Sequence, residues 1–337
     1  MIRKRKILVF GLLILPISIL TFSLFVGRYP TSFDLVIDVL LFKIFGIETD
    51  TTLIEQALVW DVRLSRALSG LIVGGALSVS GASLQSLFKN PLVDSGILGV
   101  SSGAGFGAIL SIIIFNQVSL YTIIFAFFFG LLAVFLSTLI SKVYKTNPMI
   151  MLVLGGVIVS SVFSSLISLG KYVADPFNEL PAITFWLMGS LASSNYSDFR
   201  VALIPILIGI TGMFLMRWRI NVLSMGERDA KTLGINTGLN RALIIIFTTL
   251  ATAGAVSIAG TIGWIGLVIP HLGRMLVGND NRKLIPVSLS LGSFFLVFID
   301  IISRTITGGE IPLGILTSLI GAPFYVYILK ITKGSGW

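Results

Sequence analysis

Apolar residues along this chain fall in long blocks separated by short polar segments. A membrane helix needs roughly 20 mostly apolar residues. Blocks near that length lie at 7–26, 64–86, 95–115, 119–141, 149–169, 199–216, 241–259, 261–277, 284–302 and 312–330. The pattern predicts an all-α, polytopic membrane protein of about ten transmembrane helices, with residues 1–337 forming a single transmembrane domain. The run from Leu243 to Val277 is too long for one span, and Gly260, Gly263 and Gly266 allow a break. Arg3-Lys4-Arg5-Lys6 could open a signal peptide. The apolar run that follows is longer than a usual signal core, and Phe25-Val26-Gly27-Arg28 is a poor cleavage site, so the first block reads as a retained helix.

Composition sharpens this picture. Charged residues are 12% of the chain, hydrophobic residues 55%, and mean hydropathy is +0.99. Soluble domains carry about 25% charged residues, so a soluble enzyme and a disordered chain are excluded. The net charge of +9 raises the question of nucleic acid, but the basic residues flank apolar blocks instead of forming a solvated face, and no nucleic-acid partner is expected. With ten spans and an inside N-terminus, 17 of the 24 Lys and Arg fall in cytoplasmic segments: Arg3 to Lys6, Lys89, Lys142, Lys145, Arg217, Arg219, Arg228, Lys231, Arg241, Arg274, Arg282, Lys283, Lys330 and Lys333. Such a bias sets orientation and places both termini in the cytoplasm. There is no cysteine and one histidine, His271. Disulfides, Cys-ligated zinc, iron–sulfur clusters and a His-rich metal site are ruled out, and no cofactor is expected in this chain.

Small residues recur every four positions within the spans, as Gly70, Gly74, Ser78 and Ala82, as Gly99, Gly103 and Gly107, as Ala251, Ala255 and Ala259, and as Gly314, Ser318 and Ala322. Helices in lipid associate through such close-packing ridges. Ion-driven carriers place ionisable groups near mid-membrane, whereas Asp94, Asp300 and Glu310 all fall near span ends. The chain therefore reads as a conduit driven by another protein. It has no phosphate loop: Gly226-Glu227-Arg228-Asp229-Ala230-Lys231-Thr232 lacks the second glycine before Lys-Thr. The polar stretch 220–240 instead reads as two short helical turns joined near Gly226, with Ala230 and Leu233 as a small apolar face, suited to docking a cytoplasmic partner.

Several motifs are long and specific: Ser80-Gly81-Ala82-Ser83-Leu84-Gln85-Ser86-Leu87-Phe88-Lys89-Asn90-Pro91-Leu92, Trp186-Leu187-Met188-Gly189-Ser190, and Gly260-Thr261-Ile262-Gly263-Trp264-Ile265-Gly266-Leu267-Val268-Ile269-Pro270-His271-Leu272-Gly273-Arg274, with Glu310-Ile311-Pro312-Leu313-Gly314 and Gly321-Ala322-Pro323-Phe324 after them. They resemble the permease subunits of type II ABC importers, the FecCD-like family that takes up iron–siderophores, haem and vitamin B12. The resemblance implies a homodimer in a bacterial or archaeal cytoplasmic membrane, with two cytoplasmic ATP-binding subunits that hold ATP and Mg, and an extracytoplasmic substrate-binding protein. It implies coupling to the ATPase through Asn221, Leu223, Met225, Gly226, Glu227, Ala230, Leu233 and Gly234, an inner gate at Asn90 and Leu92, and binding-protein docking at Arg63, Arg66 and Arg304. The implied activity is import of a metal chelate by alternating access, with no covalent chemistry in this chain. Some members of the family carry oxyanions such as molybdate. Two departures bear on the local backbone: Ser65 stands where the family has proline in Arg-x-Pro-Arg, and Ser95 where proline often follows Asp94. Asp300 and Arg304, four apart, are set to pair. His271 reads as a structural or ATPase-facing group and Trp186 as an interfacial anchor. The competing class is a stand-alone secondary carrier or channel, which would need a buried coupling site that the sequence lacks.

Overall fold

A computed structural model describes residues 2–142 and 148–332, and thirteen helices and no strand occur among them. They are α1 (Ile2–Phe25), α2 (Phe33–Phe45), α3 (Leu53–Phe88), α4 (Val100–Phe115), α5 (Leu120–Ser141), α6 (Pro148–Val173), α7 (Glu179–Met188), α8 (Tyr196–Met225), α9 (Glu227–Thr232), α10 (Thr237–Ala259), α11 (Ile265–Val277), α12 (Asn281–Thr305) and α13 (Leu313–Thr332). Each of the ten expected spans coincides with one of α1, α3, α4, α5, α6, α8, α10, α11, α12 and α13. Six of these are long and apolar enough to cross a bilayer, and the other four contain shorter apolar helices. The break expected between the seventh and eighth spans is real: α10 stops at Gly260, whose positive φ ends the helix, and α11 starts at Ile265. Met1 and Trp337 lie outside the described residues.

Two boundaries differ from expectation, and two further helices appear. The second span begins at Leu53 instead of near residue 64, because a Thr52–Glu55 capping box starts the helix and a wider π-helical stretch, Ala57–Leu64, carries it into the membrane segment. The sixth span extends to Met225, so α8 has 30 residues. At about 1.5 Å per residue such a helix exceeds a hydrocarbon core of about 30 Å, and its last turns project beyond it. Helices α2 and α7 were not anticipated, since 13 and 10 residues are too short to cross. Yet α2 carries its own stop and start signals: Ser32 accepts a hydrogen bond from the Leu35 amide, and Gly46 closes the helix in the left-handed region at φ 69°.

The central element is α3, mostly buried from Arg63 to Leu87 and packed against α8, α10, α11 and α12. The small-residue ridges produce this contact. A methyl group at Gly74 would collide with the Gly292 carbonyl, one at Gly81 with the Gly266 carbonyl, and one at Gly103 with the Phe129 carbonyl. Backbones approach until no Cβ fits, which is how helices gain dispersion energy where lipid supplies no hydrophobic drive. On α5, Phe129 packs edge-on against Phe106, while Phe128 is exposed. Trp186 sits on α7, half-buried against Ala104 and Ala126.

Candidate functional site

Charge divides the two ends of the bundle. One end carries Lys89, Lys142, Arg217, Arg219, Arg241 and Arg282, and the other is rich in carboxylates. They are called the basic and acidic ends below.

The three arginines expected to receive a binding protein lie near the acidic end, but inside the fold. Arg63 and Arg66 belong to α3 instead of a loop before it, and Arg63, Arg66 and Arg304 are only 2%, 4% and 6% exposed. Arg63 donates to the Leu24 carbonyl at 2.7 Å, to the Tyr29 carbonyl, and to Thr31 Oγ1 at 2.6 Å. Arg304 donates to the Ser23 carbonyl at 2.9 Å and to Ser23 Oγ at 2.6 Å. Both cap the last turn of α1, whose final carbonyls have no partner within the helix. Arg66 grips Asp300 through Nε at 2.8 and 3.0 Å and Glu310 through Nη1 at 2.8 Å. Asp300, 1% exposed, also lies 3.7 Å from Arg304. The expected Asp300–Arg304 pair is therefore present, within a network that ties α1, α3, α12 and the segment before α13. Most of their donors are engaged within the chain, and Arg304 Nε, which makes no hydrogen bond, is buried, so these side chains turn inward instead of facing outward as expected.

At the basic end the elements of the expected coupling segment come together. The polypeptide leaves α8 at Gly226, where φ is 139° and ψ 163°, a conformation open to glycine and strained for other residues. It then forms α9 and leaves through Gly234, at φ 74°. Asn221 through Met225 are the last turn of α8 and not a separate helix. Glu227, first residue of α9, pairs with Lys231 at 2.9 Å and Arg241 at 3.0 Å. Hydrogen bonds from Lys231 and Arg241 hold its carboxyl below the usual carboxylate range. Ala230 is fully buried, so it does not join Leu233 in an outward apolar face. The exposed apolar groups around α9 are Met225, Leu233 and Leu239, exposed by 61%, 57% and 57%. Leu223 is buried against the bundle.

Asn221 fixes this end of α8 to α12. Its Nδ2 donates to Asp280 at 2.6 Å, and its Oδ1 accepts from the backbone and side-chain amides of Asn281 at 2.7 and 2.8 Å. Asn281 in turn accepts from Ser86 of α3 at 2.9 Å. Asp280, hydrogen-bonded by Arg282, has its pKa drawn down to about 2. The expected gate residues adjoin this cluster. Lys89 closes α3 in the left-handed region, and Asn90 Oδ1 accepts from the Leu92 amide at 2.9 Å in an Asx turn. Leu92 projects outward, and Lys89 Nζ lies 3.5 Å from where a side chain at Gly226 would begin. The loop after α3 and the α8–α9 turn are thus neighbours. Arg274 donates to Gln85, which donates to the Gly266 carbonyl at 3.1 Å, linking α11 to α3. His271 is buried with its ring edge-on to Tyr325.

A polar face on α6 was not anticipated. On α6, Ser161, Ser164, Ser165 and Ser168 are exposed on an otherwise apolar helix. The hydroxyls of Ser161, Ser165 and Ser168 donate to carbonyls one turn back, at 2.9, 3.0 and 3.0 Å. Their spacing of three and four residues within an apolar block was the available signal.

Residues 12–330 match the FecCD transport family. The chain is 40% identical to the molybdate import system permease protein MolB of Haemophilus influenzae, across 97% of this chain and 96% of that protein. It is 41% identical to an iron chelatin transport system permease protein of Helicobacter pylori, across 82% of this chain and 83% of that one. A solved structure described as an inward-facing conformation of a metal-chelate type ABC transporter superposes with a TM-score of 0.85 at 37% identity, covering 97% of this chain and 99% of that one. The motifs, the ten apolar helices and these similarities lead to one assignment: the chain belongs to the FecCD transport family.

Proposed function

We propose that this chain is the membrane-spanning permease subunit of an ATP-driven importer and translocates a metal chelate by alternating access. The observation that carries the reading is the α8–α9 element. A helix longer than the membrane is thick ends in a glycine-dependent turn and a short charged helix, flanked by exposed Met225 at the end of α8, Leu233 just after α9 and Leu239 in the first turn of α10. Such a lever suits docking into a cytoplasmic ATPase, with Glu227 and Gly234 framing it and Asn90 and Leu92 beside it as an inner gate. The basic end is then cytoplasmic, as the positive-inside bias requires. ATP and Mg belong to the two partner subunits, and this chain performs no hydrolysis and needs no cofactor of its own.

The serine face of α6 supports a homodimer. Small residues at three- and four-residue spacing on an exposed face of a membrane helix suit close packing against a second copy. The acidic end faces the extracytoplasmic binding protein. Arg63, Arg66 and Arg304 serve that encounter indirectly, by holding the outer ends of α1, α3 and α12 in place.

A second reading, import of an oxyanion such as molybdate, is favoured by the end-to-end match to the Haemophilus influenzae permease. The test is uptake in proteoliposomes assembled from this permease, its ATPase and its binding protein, offered iron chelate or molybdate in parallel. ATP-dependent uptake of the chelate alone supports the first reading, and uptake of molybdate alone supports the second. Uptake of either without ATPase would point to a stand-alone carrier instead.

A further inference from the structure

A groove of about 810 Å³ opens between α5, the start of α6 and α10 at the basic end of the bundle. Its walls are apolar, with Leu131 and Phe135 on α5 facing Ile246 and Leu250 on α10. The hydroxyls of Thr138, Ser141 and Thr249, which also line it, donate to carbonyls of their own helices at 2.8, 2.7 and 2.6 Å. They therefore impose no demand for a polar ligand within the groove. Its mouth holds Lys142, Arg241 and Glu227. Glu227 is already paired with Lys231 and Arg241, and Arg241 uses only Nη2 on it. A guanidinium has five donors, so Arg241 and Lys142 leave the mouth positive and able to bind an anion.

We propose that this groove binds one anionic phospholipid, with an acyl chain between α5 and α10 and its phosphate at Lys142 and Arg241. Charge complementarity selects the headgroup. Continuity selects lipid over a second copy of the chain: Phe128, Leu139 and Ile246 on the same two helices are exposed apolar groups on membrane-length segments, so the groove deepens a surface that already meets acyl chains. The volume lies within the range of about 300–1,000 Å³ typical of ligand sites. A headgroup at Arg241 also sits one ion pair from the first residue of α9, so the bound lipid braces the element assigned to ATPase coupling.

The experiment is native mass spectrometry of the intact permease equilibrated with equal amounts of phosphatidylglycerol and phosphatidylcholine. The expected result is one retained phosphatidylglycerol per chain, at a preference of about 30-fold, as two basic side chains at a membrane surface provide. Lys142→Gln combined with Arg241→Gln abolishes the preference, and Lys142→Gln alone, at an exposed position, reduces it about fivefold. Ile246→Trp, which fills the groove without changing charge, abolishes retention of both lipids. Equal retention of the two lipids by the unmodified chain overturns the proposal. So does a preference that survives in all three variants. Displacement by millimolar inorganic phosphate would show a free-anion site instead, and loss of self-association without loss of lipid in Ile246→Trp would show an interface between copies. None of these readouts depends on transport, so this inference and the coupling role of α9 stand or fall separately.

Discussion

Removing the carboxylate of Asp300 is the most direct probe of the arginine network. Asp300 is 1% exposed, accepts two hydrogen bonds from Arg66 Nε, and is the nearest carboxylate to Arg304. In Asp300→Ala, Arg66 keeps Glu310 alone, and Arg304 keeps only the Ser23 oxygens. Breaking a buried pair by deleting one partner costs about 3–5 kcal/mol, because a desolvated charge is left behind. Glu310 is 24% exposed at its side chain, so Glu310→Gln, which keeps the shape and a neutral acceptor, costs about 1 kcal/mol or less. Asp300→Leu with Arg66→Met removes both charges of the main pair and recovers part of the loss, since apolar replacement of a buried pair is often near neutral. The assay is reversible unfolding in mixed micelles at fixed detergent, read by intrinsic tryptophan fluorescence, with the three variants compared against the unmodified chain. Salt adds a control: buried pairs are screened far less than exposed ones, so the ranking persists at high ionic strength. A change within about 0.5 kcal/mol for Asp300→Ala, the range of an ordinary surface substitution, would refute the network as a structural element. It follows that Arg63→Glu with Arg66→Glu disrupts the fold of the acidic end, and loss of uptake in that variant does not report on docking.

Further predictions concern the basic end, the ridges and the orientation. Gly226→Val places a β-branched residue at φ 139°, a strain of about 1–3 kcal/mol; stimulated ATPase activity in the assembled complex falls while the permease still folds and dimerises, and normal coupling would count against the assignment. Asn221→Ala removes three hydrogen bonds between α8 and α12, so amide exchange across residues 278–283 accelerates by about tenfold or more. Glu227 has a depressed pKa, so its contribution is complete above its ordinary carboxylate pKa and is lost as pH falls through the lower folded value; hydrogen exchange over 227–233, corrected for intrinsic rates, stays slow at neutral pH and rises only below about pH 4. Gly81→Val collides with the Gly266 carbonyl and abolishes folded yield in size-exclusion profiles, whereas Gly263→Ala, with open space around it, leaves the profile unchanged. In a chain without native cysteine, Ser32→Cys and Lys231→Cys react with an impermeant thiol reagent from opposite sides of the membrane, and labelling of both from one side would overturn the orientation.

The ten membrane helices were legible in the sequence because lipid imposes one requirement on every span, a run of apolar residues with its backbone satisfied internally. The ridges of glycine and alanine were legible for a related reason, since close packing in lipid has few chemical solutions and the four-residue spacing marks the face. The turn at Gly226 could be read from a lone glycine between polar helical turns. Tertiary structure decided what periodicity cannot carry. A charged residue near a span end reads as a surface group, yet Arg63, Arg66 and Arg304 turn inward because the unpaired carbonyls of α1 and the carboxylate of Asp300, 234 positions from Arg66, wait there. Ala230 lies next to charges in sequence and is buried in space, because α9 folds back against its neighbours. The serine face of α6 and the cationic groove between α5 and α10 join residues far apart in the chain. Hydropathy averages along one segment, whereas a site is set by which faces of separate helices meet.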